Sequence, residues 1–186
     1  MNQAGMQATG KHFPGHGGIF ADSHLTFSED TRSLSELEIH DLLPFDSLKH
    51  QLGGIMTAHI SFSNIDKEIA TFSKFWLQDI LRNKIGFAGA IFSDDLSMKG
   101  SDYVGGIEAK VGKALESGCN MVLVCNDRAA AKKAINFLEE AKISQSHKIT
   151  ELKASQSISW EDLEKDTRRI DIMDKLNILG LSLIHI

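Results

Sequence analysis

Four short apolar runs, each followed by a stretch with helical periodicity, constrain this chain more than any other feature. Residues 11–13, 54–58, 89–93 and 121–125 read as strands. Ile55-Met56 and Met121-Val122-Leu123-Val124 are unbroken apolar runs, as parallel strands covered on both faces require. After the first strand, Leu34, Leu37 and Leu42 recur at helical spacing behind Ser33, which forms a capping-box signature with Glu36. Pro44 must kink or divide that helix, because it removes a donor and crowds the preceding turn. A second helix is expected over 72–84, with Ser73 as its cap, Trp76/Ile80 and Leu77/Leu81 as i,i+4 pairs and Gly86 as its stop. Ile107, Val111, Ala114 and Leu115 mark a third, closed by Gly118. Residues 130–141 give a fourth, with Ile135 and Leu138 expected to face inward. The polar stretch 144–159 reads as loop or short helix, and 160–179 as one terminal helix presenting Leu163, Ile170, Met173 and Leu176.

Strand and helix alternating in this way imply an α/β fold with a parallel sheet and right-handed crossovers. Each unit spans roughly 35–40 residues, and eight such units close a barrel of about 250 residues or more. Only four are present. The chain is therefore expected to be half of a (β/α)8 TIM barrel, although a short doubly wound sheet satisfies the same periodicity.

Composition narrows the class. With 42% apolar and 24% charged residues the chain suits a soluble globular domain, and a net charge of −5 with scattered lysines offers no basic stripe for nucleic acid. No run approaches the roughly 20 apolar residues that span a bilayer, so no membrane partner is expected. Met1-Asn2-Gln3-Ala4-Gly5 lacks the basic and apolar regions of a secretory signal. Cys119 and Cys125, six apart on an expected strand, are too distant to bridge and read as reduced packing residues. Together these features suggest a cytoplasmic protein. The apolar tail Leu181-Ser182-Leu183-Ile184-His185-Ile186 has no assignable structural role. A transposase adapter read in frame encodes the same six residues, so 181–186 is expected to be non-native and 1–180 the domain.

Polar residues gather at the C-terminal ends of the strands: His12 on the first, His59 after the second, Asp94 and Asp95 at the third, Asn126 and Asp127 after the fourth. In a barrel that is the catalytic face. The first strand runs into Lys11-His12-Phe13-Pro14-Gly15-His16-Gly17-Gly18, and Asp22-Ser23-His24 follows four residues later. Two apart in an extended segment, Asp22 and His24 share a side, so the carboxylate can hold one ring nitrogen and leave the other for proton transfer. Such pairs are also common in ordinary surface loops. A metal reading of His12, His16, Asp22 and His24 is weaker, since Pro14-Gly15 keeps the first two off a common helical face and no cysteine assists; no metal and no cofactor are expected. In Phe92-Ser93-Asp94-Asp95-Leu96, a carboxylate at a strand tip is placed to attack a sugar carbon or bind a cation, while either aspartate can instead cap a turn.

These clusters together resemble the family-3 glycoside hydrolases, specifically the NagZ-type β-N-acetylglucosaminidases. Lys11-His12-Phe13-Pro14-Gly15-His16-Gly17 with Asp22-Ser23-His24 is similar to that family's signature loop, and Phe92-Ser93-Asp94-Asp95-Leu96-Ser97-Met98 to its nucleophile strand. The similarity continues through Met56-Thr57-Ala58-His59, Trp76-Leu77, Leu81-Arg82 and Gly118-Cys119-Asn120. It implies that Asp94 is the nucleophile of a retaining hydrolase, His24 its acid/base on a loop that swings in with substrate, and Asp22 the partner that orients His24. It further implies that Lys11 and His12 bind the N-acetylglucosamine ring, whereas Asp95, His16, His59 and Met98 receive no chemistry. The implied substrate is N-acetylglucosamine linked to 1,6-anhydro-N-acetylmuramic acid, with or without peptide, from peptidoglycan recycling, and the implied full-length enzyme is a monomer. The chain would be the C-terminal portion of such an enzyme, with further sugar-binding Asp and Arg residues upstream of Met1. A family-3 β-glycosidase of other sugar specificity and an inactive sugar-binding fragment are the alternatives.

Overall fold

A computed structural model describes residues 2, 5–16 and 28–178. They fall into two compact units, Met1–Lys153 and Ala154–Ile186, so the structure divides within the range 1–180. The first unit runs β1 (Ala8–Phe13), β2 (Ser28–Glu29), α1 (Leu34–Ile39), α2 (Leu43–Leu48), β3 (Leu52–Thr57), β4 (Ile60–Ser61), a π-helix (Phe75–Lys84), β5 (Ala90–Asp95), α3 (Ile107–Ser117), β6 (Met121–Leu123), α4 (Arg128–Glu140) and α5 (His147–Thr150).

The four expected strands make one parallel sheet in the order β1-β3-β5-β6. Phe13 pairs with Thr57, Met56 with Phe92, and Asp95 with Leu123, so the C-terminal ends line one edge of the sheet. The short strands β2 and β4 form a separate parallel pair. Gly54 lets β3 approach its neighbour, since a Cβ there would meet the Phe92 ring at 2.7 Å. Phe13, Phe62 and Trp76 are fully buried, with Phe45 nearly so. Their rings meet at centroid distances of 5.3 Å (Phe13–Phe45), 6.2 Å (Phe13–Trp76) and 5.0 Å (Phe62–Trp76). Such aromatic packing is worth more than its buried area alone.

Pro44 does divide the first helical stretch. It sits in the opening turn of α2, where the missing N–H costs nothing, and Ser33 caps α1 with the complete capping box. The second helix departs from expectation in its winding. The Ile85 N–H donates to the Ile80 carbonyl five residues back, a π-type bond, although Trp76, Leu77, Ile80 and Leu81 are all buried as the spacing requires. Gly118 closes α3 at φ 124°, a conformation that favours glycine.

Three expectations need correction. Ile135 does not face inward; it is 54% exposed, and Ala134 is the buried residue of α4. The terminal helix is not continuous but consists of α6 (Trp160–Lys165) and α7 (Thr167–Ile178). Asp166 separates them, its carboxylate accepting the Arg168 and Arg169 N–H groups that start the next helix. Finally, neither cysteine lies on β6, and only Cys119 is a packing residue; Cys125 is exposed. Burial pushes the Cys119 thiol up to about 12, which keeps it protonated and inert.

The opposite edge of the sheet is fastened by Arg82. Its guanidinium donates to Phe87 O at 2.6 Å, Gly89 O at 2.7 Å and Asn120 Oδ1 at 2.9 Å. The same Asn120 oxygen accepts the Ile91 N–H at 2.9 Å. One cation thereby joins the entrances of β5 and β6.

Candidate functional site

Of the expected site residues, Lys11, His12 and Asp94 lie toward the C-terminal ends of their strands. Lys11 and His12 lie on β1, Lys11 exposed and His12 half-buried, with the His12 and His16 rings edge-on at 6.0 Å. Asp94 is half-buried near the end of β5, two strands away in the sheet. At the usual strand spacing that separates them by about 10 Å. Asp22 and His24 lie outside the described residues.

Local chemistry fixes the Asp94 tip. The Asp95 N–H donates to Asp94 Oδ1 at 2.8 Å. The Asp95 carboxylate turns the other way and accepts three donors: Ser97 N–H at 2.9 Å, Ser97 Oγ at 2.7 Å and the Cys125 N–H at 2.9 Å. Burial raises the Asp95 carboxyl, but these donors outweigh it and hold the group below the ordinary range. Asp95 is therefore a turn-capping group that also ties the end of β5 to the segment after β6. Between Phe92 and Asp95 the pairing of β5 with β6 is irregular, and Ser93 Oγ fills the gap by accepting the Leu123 N–H at 3.0 Å. Asp127 is likewise a cap, accepting the Ala130 N–H at the start of α4.

A group to which the sequence assigned no chemistry is buried against this tip. His59 is 1% exposed; its Nδ1 meets Thr71 Oγ1 at 2.8 Å and its Nε2 meets the Asp95 carbonyl at 2.9 Å. Burial pushes its pKa below the ordinary value, against the pull of Asp94 and Asp95. Its partners are 12 and 36 residues away in sequence, so no local pattern could have disclosed them.

Where the chain returns to the sheet, Arg32 joins two carboxylates. It donates to Asp30 Oδ2 at 2.6 Å and to Asp41 Oδ2 at 2.7 Å. Asp41 in turn lies against Gly15, where an added Cβ would approach Asp41 Cβ to 2.6 Å. The Asp30 N–H also extends the β2–β4 pairing by donating to Ser61 O. Asp30 is thereby bonded into an ion cluster against which Gly15 packs closely. Among the described residues no three His, Cys, Asp or Glu side chains converge on a point that would hold a metal ion.

Comparison with known proteins places this geometry in a lineage. A family model described as the glycosyl hydrolase family 3 N terminal domain matches residues 1–154. A β-hexosaminidase of Pseudomonas aeruginosa is 48% identical over 181 residues, covering 97% of this chain and 54% of that protein. A β-hexosaminidase of Idiomarina loihiensis is 46% identical over 170 residues, 90% of this chain and 52% of that protein. Among solved structures, NagZ from Neisseria gonorrhoeae in complex with N-trifluoroacetyl-D-glucosamine superposes with a TM-score of 0.79 at 34% identity, covering 96% of this chain and 51% of that one. The chain thus spans about half the length of the curated relatives it matches. The expectation of a C-terminal portion is corrected here, because the matching domain is the family's N-terminal one. Periodicity counts βα units but carries no mark of where in a longer protein they stand.

Proposed function

The chain belongs to glycosyl hydrolase family 3, and from that premise we propose that it carries catalytic groups of a retaining β-N-acetylglucosaminidase that releases terminal N-acetylglucosamine from peptidoglycan fragments in the cytoplasm. The observation that carries the proposal is Asp94: a half-buried carboxylate at the tip of a parallel strand, one oxygen held by the next residue's N–H, in line with the edge that bears Lys11 and His12. The names of the relatives support the sugar class, as does the N-acylated glucosamine bound by the Neisseria gonorrhoeae protein. The four-stranded sheet is then one part of a (β/α)8 barrel, in which the catalytic groups lie at this end of the strands.

In this reading Asp94 attacks the anomeric carbon while His24 gives its proton to the departing oxygen, and a covalent glycosyl intermediate forms. Water then attacks the anomeric carbon, His24 takes the water's proton, the bond to the Asp94 oxygen breaks to restore the carboxylate, and the sugar leaves with its configuration retained. Asp22 orients the His24 ring and favours its cationic state. Lys11 and His12 bind hydroxyls of the sugar ring. A histidine suits the acid/base task because imidazole changes protonation near neutral pH.

The test uses the complete protein that carries this sequence. Asp94→Asn is expected to lower kcat on p-nitrophenyl N-acetyl-β-D-glucosaminide by about 10,000-fold or more, the scale set by loss of a covalent nucleophile. A fluorinated N-acetylglucosamine analogue is expected to become bonded to Asp94 in the unaltered protein. A sugar trapped on another residue, or preference for a glucoside or xyloside, would overturn the assignment.

A further inference from the structure

We infer that His59 is a positioning residue for the Asp94 carboxylate, acting through the backbone of Asp95; this rests on the glycosidase reading above.

Asp95 O is a carbonyl and can only accept, so the 2.9 Å contact requires a proton on His59 Nε2. Burial favours the neutral ring, which leaves Nδ1 as an acceptor. The Thr71 hydroxyl has two acceptors in reach, Nδ1 at 2.8 Å and Ala58 O at 3.1 Å, and a neutral ring draws its proton to Nδ1. Thr57 Oγ1 then donates to Thr71 Oγ1 at 2.8 Å. A buried chain of hydrogen bonds therefore fixes the tautomer and orientation of His59, with Phe72 stacked near its face at 6.2 Å. A histidine held this firmly has no freedom to serve as a proton carrier.

What it holds is the residue beside the nucleophile. Asp95 is restrained at three groups: its carbonyl by His59 and the Met98 N–H, its carboxylate by Ser97 and Cys125, and its N–H by Asp94 Oδ1. The N–H therefore reaches Asp94 from a residue that cannot rotate. The next carbonyl, Leu96 O, receives Lys110 Nζ at 2.9 Å and Ser101 Oγ at 3.0 Å, both from buried residues. The Asp95 carbonyl also accepts the Met98 N–H at 3.1 Å and the Leu96 N–H donates to Leu123 O at 2.8 Å, so two successive carbonyls beyond Asp94 receive core side chains in addition to the backbone bonds at this sheet exit. Loss of the His59 donor leaves the Asp95–Leu96 peptide held by backbone bonds alone, and its loosening passes through the Asp95 Cα to the Asp94–Asp95 peptide, whose N–H holds the Asp94 oxygen. A misplacement of a reacting group by about 1 Å costs on the order of 100-fold in rate.

A histidine that merely fills the core would affect stability alone, and two variants separate the cases. His59→Leu keeps volume but removes the donor; His59→Gln keeps an amide N–H at the reach of Nε2. In the complete protein, with competent sites counted by trapping of the fluorinated sugar, His59→Leu is expected to lower kcat per site about 10- to 100-fold, while KM changes by less than about threefold. His59→Gln should restore most of the rate. Hydrogen exchange at the Asp95 amide, followed by NMR, should accelerate in the Leu variant and slow again in the Gln variant. Unaltered kcat per site in His59→Leu, no recovery with Gln, or an Asp95 amide indifferent to both changes would overturn the inference. An unaltered protein that fails to cleave the substrate would instead sink the glycosidase reading, while the amide measurement would still decide whether His59 holds Asp95.

Discussion

Asp95 illustrates how a single acidic side chain next to a chemically promising one can have a different task. Three donors converge on it, so Asp95→Ala strips their acceptor and should cost roughly 2 kcal/mol in urea unfolding. The pH dependence follows from two depressed pKa values. The Asp95 carboxyl lies below its ordinary 3.8 when folded, so its stabilising contribution is present above that value and disappears as pH falls through the folded one. His59 lies below its ordinary 6.5 when folded. The unfolded chain therefore takes up the proton first, and stability declines as pH drops from 6.5 toward the folded value, with Asp94, Asp95 and Lys110 as the charges facing the ring. Thermal unfolding followed from about pH 7 down to about pH 3 should show both declines. His59→Gln should flatten the upper one and Asp95→Asn the lower; an unchanged upper decline in His59→Gln would mean that the ring is not the group responsible.

At the scale of elements, the sequence made the sheet legible and left the finer winding hidden. Unbroken apolar runs such as Met121-Val122-Leu123 have few other uses, so the parallel strands could be read directly. The capping box at Ser33 and the division at Pro44 were equally local and equally readable. The π-winding was not, because within so short a helix Trp76, Leu77, Ile80 and Leu81 are buried whether a turn holds 3.6 residues or more. The break at Asp166 was masked by apolar residues on both sides that keep helical spacing, although an aspartate placed to cap a new start was the available signal. Of the site, the strand-tip residues were readable, while the His59 contacts depend on residues that only the fold brings together. Two substitutions test the element contacts. Arg82→Met leaves Phe87 O and Gly89 O without their donor and should cost about 3 kcal/mol in urea unfolding. Gly118→Ala forces a side chain into φ 124° against Gln78 and should cost at least about 1 kcal/mol.

For the whole molecule, the sheet has two outer strands. Among the described residues β1 pairs in the sheet only with β3, and β6 only with β5. Beside β6 lies a hollow lined by Leu115, Cys119, Val122, Leu138, Ile143 and Ile149. Unpaired strand edges and bare apolar surface invite association. The 186-residue polypeptide by itself is therefore expected to self-associate and to hydrolyse little p-nitrophenyl N-acetyl-β-D-glucosaminide. Size-exclusion chromatography with a turnover assay checks this; a monomer as active as a full-length relative would refute it.

The clasp formed by Arg82 and Asn120 has a bearing on how such a chain can change over generations. It secures β5 and β6 where they enter the sheet, at the far end from Asp94. Under the glycosidase reading proposed above, mutations that retune which sugar is accepted can accumulate around the strand exits while the entrances continue to keep the strands in register. Drift in specificity and persistence of the scaffold are in that sense inherited separately, and Arg82 is the residue whose loss would couple them again.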